Sequence, residues 1–203
     1  MARTKLFNVD DALESAMKLF WSKGYEATSM ADLVSEMGIN RASLYDTFGD
    51  KQALFIAAIE AYLDRVNSAR LTKLRRHGDG RAAITEFFEE LVAFSVGEGK
   101  KLGCLITNSV IERAPHDRDI AALLEGSLQR VEDGFYDAIQ SGQRGGTIDA
   151  TVDPRASARF LVALVQGLRV LSRTNSDERK LRDVITVALS TLPPPSVSAH
   201  TKM

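Results

Sequence analysis

The sequence lacks the features that mark several classes of protein. It has a single cysteine, Cys104, which excludes a disulfide scaffold. It has no run of about 18 uncharged apolar residues, so no membrane span is expected. The N-terminal residues carry no apolar stretch of the kind found in signal peptides. We therefore expect a protein of the reducing cytoplasm.

Catalytic and metal-binding signatures are also missing. The sequence contains no glycine-rich phosphate loop, no serine nucleophile elbow, no HExxH zinc helix and no CxxC pair. Its histidines, His77, His116 and His200, are scattered along the chain. We therefore expect no catalytic residues, no metal and no cofactor. A small helical enzyme or a protein-interaction module is kept as the alternative class.

Neither sign of charge dominates the chain. The 26 basic and 27 acidic side chains give a net charge of −1, and residues 1–51 hold six basic and eight acidic ones. A nucleic-acid interface must therefore depend on local geometry rather than on bulk charge. The 44% apolar content is ordinary for a globular chain and excludes intrinsic disorder.

Apolar residues recur every three or four positions, and strand signals are nearly absent, which predicts an all-α fold of about nine helices. The expected helices span about residues 12–23, 29–37, 41–47, 51–76, 81–96, 104–113, 117–141, 154–173 and 177–192. We predict a helix-turn-helix domain at 6–50, a larger helical domain at 51–192 whose first helix links the two, and a disordered tail at 193–203 that starts with three prolines. Arg3 and Lys5 form either an arm for a minor groove or a frayed terminus.

The strongest local signal lies between residues 28 and 51. Ser29 and Asp32 form a capping pair, Gly38 permits a tight turn, and Asn40 is a good cap for the next helix. Small side chains then open that helix, which lets its backbone approach a groove closely. From the residues alone, either a helix-turn-helix or an ordinary helical hairpin fits.

The wider pattern resembles the N-terminal DNA-binding domain of the TetR family of bacterial transcriptional regulators. The resemblance covers about residues 6–60, and beyond them only the helical architecture. The matching residues are the helix 12–20, Gly24-Tyr25, Thr28-Ser29, Gly38-Ile39-Asn40, Ser43-Leu44-Tyr45, Phe48 and Lys51-Gln52-Ala53-Leu54.

This resemblance implies a role for each residue of the DNA-binding set. It places Thr28 and Ser29 against the phosphate backbone, and it places Tyr45 and Lys51 at further phosphate contacts. Thr47 stands where many members have histidine, so that contact is weaker or different. The residues that open the recognition helix in the major groove are Asn40, Arg41, Ala42 and Ser43. For Tyr45, a half-buried aromatic with a free hydroxyl is the alternative.

Cys104 follows Lys100, Lys101 and Gly103 at the expected start of a helix, a context that lowers a thiol pKa. The same Gly-Cys-Leu context resembles family members that sense electrophiles or oxidants through a thiol. Leu105 and Ile106 argue instead for burial and an inert cysteine. We expect a packed, unreactive Cys104, with thiol sensing as the alternative.

Apolar residues of the middle helices form either plain core or, as the resemblance implies, the lining of an effector pocket. The candidates for the lining are Phe87, Leu91, Phe94, Ile106, Val110, Leu128 and Phe135. Residues 160–171 are apolar nearly all round, which fits either a central core or the dimer interface that the family implies. The interface candidates are Phe160, Leu164, Leu168, Leu181, Ile185 and Ala188.

The sequence thus predicts a homodimeric regulator, a repressor that a small and mostly apolar effector releases from a palindromic operator. Its expected partners are double-stranded DNA, a second copy of itself and that effector, with no membrane. A repressor switched through Cys104 is the alternative.

Overall fold

The computed structural model describes residues 7–76, 78–97, 99–174 and 177–196. Within these residues all regular structure is helical, as predicted. The helices are α1 (Val9–Lys23), α2 (Met30–Met37), α3 (Arg41–Phe48), α4 (Lys51–Tyr62), α5 (Ser68–Arg76), α6 (Gly80–Val96), α7 (Gly99–Leu102), α8 (Leu105–Glu112), α9 (Arg118–Arg144), α10 (Pro154–Thr174) and α11 (Glu178–Ser190). Residues 3 and 5 and most of the predicted tail lie outside the described residues.

Residues 51–76 are helical throughout, as predicted, but a π-helical turn at Leu63–Asn67 separates α4 from α5. α9 also differs from the expectation, because it runs to Arg144 instead of ending near residue 141. Gly142 does not end the helix, since its backbone is not in a positive-φ conformation. Its missing Cβ makes room for Ile148, whose Cδ1 lies 2.6 Å from the place a Cβ would take.

The chain divides into two compact units. The first, which we call the N-terminal unit, contains residues up to Ser68 together with 101–126. The second, the C-terminal unit, contains residues 69–100 and those from 127 onward. The helix-turn-helix predicted at 6–50 lies wholly within the N-terminal unit, where α1 also packs against α4 and α8.

An aromatic cluster forms much of the core of the N-terminal unit. The ring of Phe20 meets Phe55 edge-on at 5.0 Å and lies parallel to Tyr25 at 6.1 Å. Trp21 meets Tyr62 edge-on at 4.9 Å, and its indole N–H donates to the carbonyl of Gly103. Burial of these large rings contributes to the apolar stabilisation that holds α1 on α4.

The core of the C-terminal unit is built from α6, α9, α10 and α11. Phe87 meets Phe135 edge-on at 4.9 Å, and Phe88 stacks on Phe135 at 5.8 Å. Pro154 occupies the first position of α10, and Asp153 caps that helix by accepting the backbone N–H groups of Arg155 and Ala156, as the Asp-Pro pair predicts.

Candidate nucleic-acid interface

Three local caps fix the α2–turn–α3 motif. Ser29 and Asp32 form a reciprocal capping box at the start of α2, and Asn40 accepts the backbone N–H of Ser43 at 2.8 Å at the start of α3. Between them Gly38 adopts a left-handed conformation with φ 64°, which favours glycine. Each of these local predictions is confirmed.

The first turn of α3 presents small and polar side chains to solvent. Asn40, Arg41 and Ala42 are exposed, whereas Ser43 is half-buried. The Arg41 guanidinium lies 5.7 Å from the centre of the Tyr45 ring, and its Nη2 is 3.4 Å from the Tyr45 hydroxyl. Tyr45 is itself 41% exposed, so the side chains of Arg41 and Tyr45 together form a ridge on this surface.

Ser29 and Thr28 differ in their access to a phosphate. Ser29 is exposed at the N-terminus of α2, where backbone N–H groups and the helix dipole favour an anion. Thr28 is fully buried, and its hydroxyl donates to the carbonyl of Gly24 at 2.6 Å. The Thr28 side chain therefore fixes the turn between α1 and α2, and the phosphate contact at the Thr28-Ser29 position stays a prediction.

Thr47 lies near the end of α3, and Lys51 is the first residue of α4. Both are half-buried. The Lys51 ammonium lies 4.1 Å from the centre of the Tyr25 ring, while the Arg113 guanidinium lies 4.2 Å from the same ring. Burial raises the pKa of Tyr25, and the charge of Arg113 offsets part of that rise.

A polar cluster at the end of α8 was not predicted from the sequence. The Glu112 carboxylate accepts the backbone N–H groups of Tyr25 at 3.0 Å and Glu26 at 2.9 Å. Arg113 pairs with Glu26 at 2.8 Å and with Asp117 at 3.4 Å. We call Tyr25, Glu26, Glu112, Arg113 and Asp117 the α8 clasp. Because the clasp holds the turn that leads into α2, it positions the helix-turn-helix.

Cys104 lies at the N-cap position of α8 and is partly exposed. Its Sγ atom is 3.7 Å from the hydroxyl of Tyr62, a distance at which either group can donate. Cys104 directly precedes the buried residues Leu105 and Ile106. The unreactive thiol that we expect stays a prediction.

The candidate pocket residues divide between the two units. Ile106 and Val110 lie on α8 of the N-terminal unit, and the other candidates lie in the C-terminal unit. In the second group Phe87, Leu91 and Phe135 are buried in the core cluster. Leu128 and Phe94 are only half-buried.

Four of the six interface candidates face the interior of their own protomer. Phe160 is 45% exposed and Leu164 is half-buried. The four buried candidates are Leu168, Leu181, Ile185 and Ala188. Placing these four on a dimer surface is wrong, because their own chain covers them. The exposed apolar residues of α10 and α11 are instead Phe160, Val170, Leu171 and Val187.

A second missed feature is Arg169, a cation on the inner face of α10. It is 4% exposed, and its Nε atom has no hydrogen-bond partner among the described residues. The sequence signal was present, because Arg169 stands four residues after Val165 and eight after Leu161, both inward positions of that helix.

Comparison with known proteins matches most of the chain to regulators. The family described as bacterial regulatory proteins of the tetR family matches residues 12–58, and a tetracyclin repressor-like C-terminal domain matches residues 80–188. YezE of Bacillus subtilis, an uncharacterized HTH-type transcriptional regulator, is 35% identical over 193 residues, which cover 95% of this chain and 100% of that protein. The repressor ComR of Escherichia coli is 31% identical over 94% of this chain and 91% of its own.

Solved structures agree with these matches. The TetR-family regulator CifR, a cysteine mutant complexed with 26-base-pair operator DNA, aligns with a TM-score of 0.85 at 28% identity and covers 94% of this chain and all of its own. The chain therefore belongs to the TetR family of DNA-binding transcriptional regulators, a family of regulators and not of enzymes. Among the described residues, no helix is long and apolar enough to cross a membrane.

Proposed function

We propose that this chain is a homodimeric repressor whose α3 helices enter successive major grooves of a palindromic operator. The observation that carries the proposal is the exposed first turn of α3, where Arg41 follows the Asn40 cap and precedes Ala42. Small side chains beside one long cation permit close approach and a contact to a base edge. CifR, which aligns with 94% of this chain, is complexed with operator DNA.

In this proposal the two half-sites lie about one helical turn, roughly 34–36 Å, apart. A two-fold dimer meets them with two copies of the same surface. We assign the dimer contact to the outer face of α10, where Phe160, Val170 and Leu171 are exposed, with Val187 of α11 beside it. The protein acts in the cytoplasm, where its operator DNA lies.

Release from DNA follows from a shift in population. A small and mostly apolar effector binds better to a state whose recognition helices do not match the half-site spacing. Operator affinity then falls by the ratio of the effector's affinities for the two states. The α8 clasp is the part of the N-terminal unit through which α8 reaches the helix-turn-helix.

Footprinting on the DNA upstream of the protein's own coding region tests the proposal. We expect a protected palindrome and a steep loss of affinity with increasing salt, because each phosphate contact releases counterions. Binding that is equal on the protected sequence and on scrambled DNA of the same length would refute it.

A second candidate is a repressor that is switched by covalent modification of Cys104. Two observations favour it: Cys104 is partly exposed at the start of α8, and a similar regulator, CifR, has been solved as cysteine mutants. A thiolate adds to the carbon–carbon double bond of a maleimide, and solvent then protonates the adjacent carbon. Operator release by one equivalent of N-ethylmaleimide that is lost in Cys104→Ser identifies this switch. Unchanged release in the variant, or no release, leaves the noncovalent effector.

A further inference from the structure

Arg169 interrupts a mostly apolar face of α10. The inward positions of the helix hold Ala158, Leu161, Val165, Leu168 and Ser172. A guanidinium placed among them is removed from water, and this is costly unless an acceptor replaces the lost hydration. The charge of Arg169 therefore requires a partner.

Among the residues that the structure describes, the group found beside Arg169 is an aromatic face. Its guanidinium carbon lies 5.0 Å from the centre of the Phe94 ring on α6, and Arg70 of α5 lies 5.5 Å from the same ring. Among the described residues no carboxylate forms an ion pair with Arg169, and its Nε–H donates to no atom. Two cations at one ring raise the local positive potential, which favours an anion at this place.

We infer that Arg169 is the counter-charge for an acidic effector, so that the ligand of this regulator is a carboxylate on an apolar body. A guanidinium offers a planar fork that a carboxylate accepts with both oxygens, and its free Nε–H is one arm of that fork. The Phe94 ring and the inward residues Val165 and Leu168 of α10 supply apolar surroundings for the rest of the molecule. The inference rests on the proposed function, because it names the class of effector.

Thermal unfolding of the full-length protein without DNA tests this assignment. The probes are octanoate, decanoate and 4-phenylbutyrate, each compared with its own primary amide, which has nearly the same shape and no charge. We expect at least one acid to raise the unfolding temperature by several degrees. Its half-saturating concentration should be at least tenfold lower than that of its amide.

The variant Arg169→Met keeps the length of the side chain and removes the charge and the fork. We expect it to bind that acid no better than the amide, whereas Arg173→Met, an exposed arginine on the same helix, keeps the full preference. Arg169→Gln, checked for folding by circular dichroism, serves if the methionine variant does not fold. Equal binding of acid and amide by the native protein across the whole panel overturns the inference, and so does a preference that survives in the Arg169 variants.

Glu98 lies outside the described residues but only four positions after Phe94 in the sequence. A double-mutant cycle with Glu98 therefore separates a ligand from an internal counter-ion. If Glu98→Gln lowers the unfolding temperature of the native protein but not of Arg169→Met, the chain supplies its own partner and the inference fails. We expect no such coupling. Operator binding is measured separately on the same proteins. An acid preference without operator binding refutes the repressor, and operator binding without an acid preference refutes the Arg169 site alone.

Discussion

The carboxylate of Glu112 accepts the backbone N–H of Tyr25 at 3.0 Å, across 87 residues of sequence. Its second oxygen accepts the next N–H, that of Glu26, at 2.9 Å. One side chain at the end of α8 thus satisfies two donors in the turn between α1 and α2. The helix-turn-helix therefore depends on a residue that belongs to none of its own helices.

Removal of this carboxylate should destabilise the protein. Glu112→Ala leaves two N–H groups without their acceptor, and we expect the free energy of unfolding to fall by about 1–3 kcal/mol. Glu112→Gln keeps one acceptor oxygen and should lose less. Urea denaturation measures both, and Glu125→Ala, an exposed carboxylate on α9, is the control that should change little. Equal stability of the Glu112 and Glu125 variants would show that the clasp contributes nothing.

Arg41 should account for part of the sequence preference. Arg41→Ala is expected to cost about 1–3 kcal/mol on operator DNA and to relax specificity at one base position. Arg41→Lys keeps the charge but loses the planar fork, so it should keep binding to random DNA while losing discrimination. Fluorescence anisotropy measures the affinity of each variant for operator DNA and for random DNA. Equal losses on the two DNAs would reassign Arg41 to a phosphate contact.

Lys51 should contribute equally to the binding of all DNA sequences. Lys51→Ala is expected to weaken binding to all DNAs alike and to reduce the slope of log K against log salt by about one unit, because one phosphate contact is lost. Lys18→Ala is the control, since Lys18 lies on α1 and pairs with Glu14 at 2.7 Å. A loss confined to the operator would contradict this role.

Two substitutions on α10 should separate the dimer surface from the core. Phe160→Glu places a charge on an exposed apolar side chain, and we expect a folded monomer by light scattering and circular dichroism. Leu168→Glu places the charge in the core of the protomer, and we expect loss of folding. Ile111→Glu, at an exposed apolar side chain of α8 in the N-terminal unit, is the control and should stay dimeric. A Phe160→Glu protein that remains dimeric would remove α10 from the interface.

The capping box should make stability depend on pH. The Lys23 ammonium, together with the N–H and hydroxyl of Ser29, holds the pKa of Asp32 well below its ordinary value of 3.8. A carboxyl whose pKa is lowered on folding stabilises the protein fully above that ordinary value, and the contribution is lost as pH falls through the folded pKa. The stability difference between native protein and Asp32→Asn should therefore persist above about pH 4 and shrink below it. A difference independent of pH would show that the charge of Asp32 is not involved.

Local features of the fold were predictable, because their partners are close in sequence. Ser29 and Asp32 are three residues apart, and so are Asn40 and Ser43, so composition and spacing were sufficient to predict both caps. The same reasoning placed Gly38 and Pro154 at the boundaries of helices. These positions depend on backbone chemistry and not on how the helices pack.

Features that depend on packing were not predictable in the same way. An apolar stripe predicts that Leu168 and Phe160 are removed from solvent. It does not show whether their own chain or a second copy of the protein buries them. From the sequence, Glu112 is an ordinary charged residue at the end of a helix. Its two backbone partners are known only once α8 is packed against α1. The sequence places Arg169, a cation, at an inward position of α10. Its burial and its Nε atom without a hydrogen-bond partner, which indicate a ligand site, are known only from the structure.

The shortness of α8 has a mechanical consequence. Its eight residues form a rod about 12 Å long, with Cys104 at one end and Glu112 at the other. If α8 tilts by about 5° about its first end, its second end moves by about 1 Å, because the helix is about 12 Å long. A hydrogen bond near 3.0 Å does not survive such a displacement, since it weakens steeply with distance. The rod thus converts a small angle at the Cys104 end into a broken contact at Glu112.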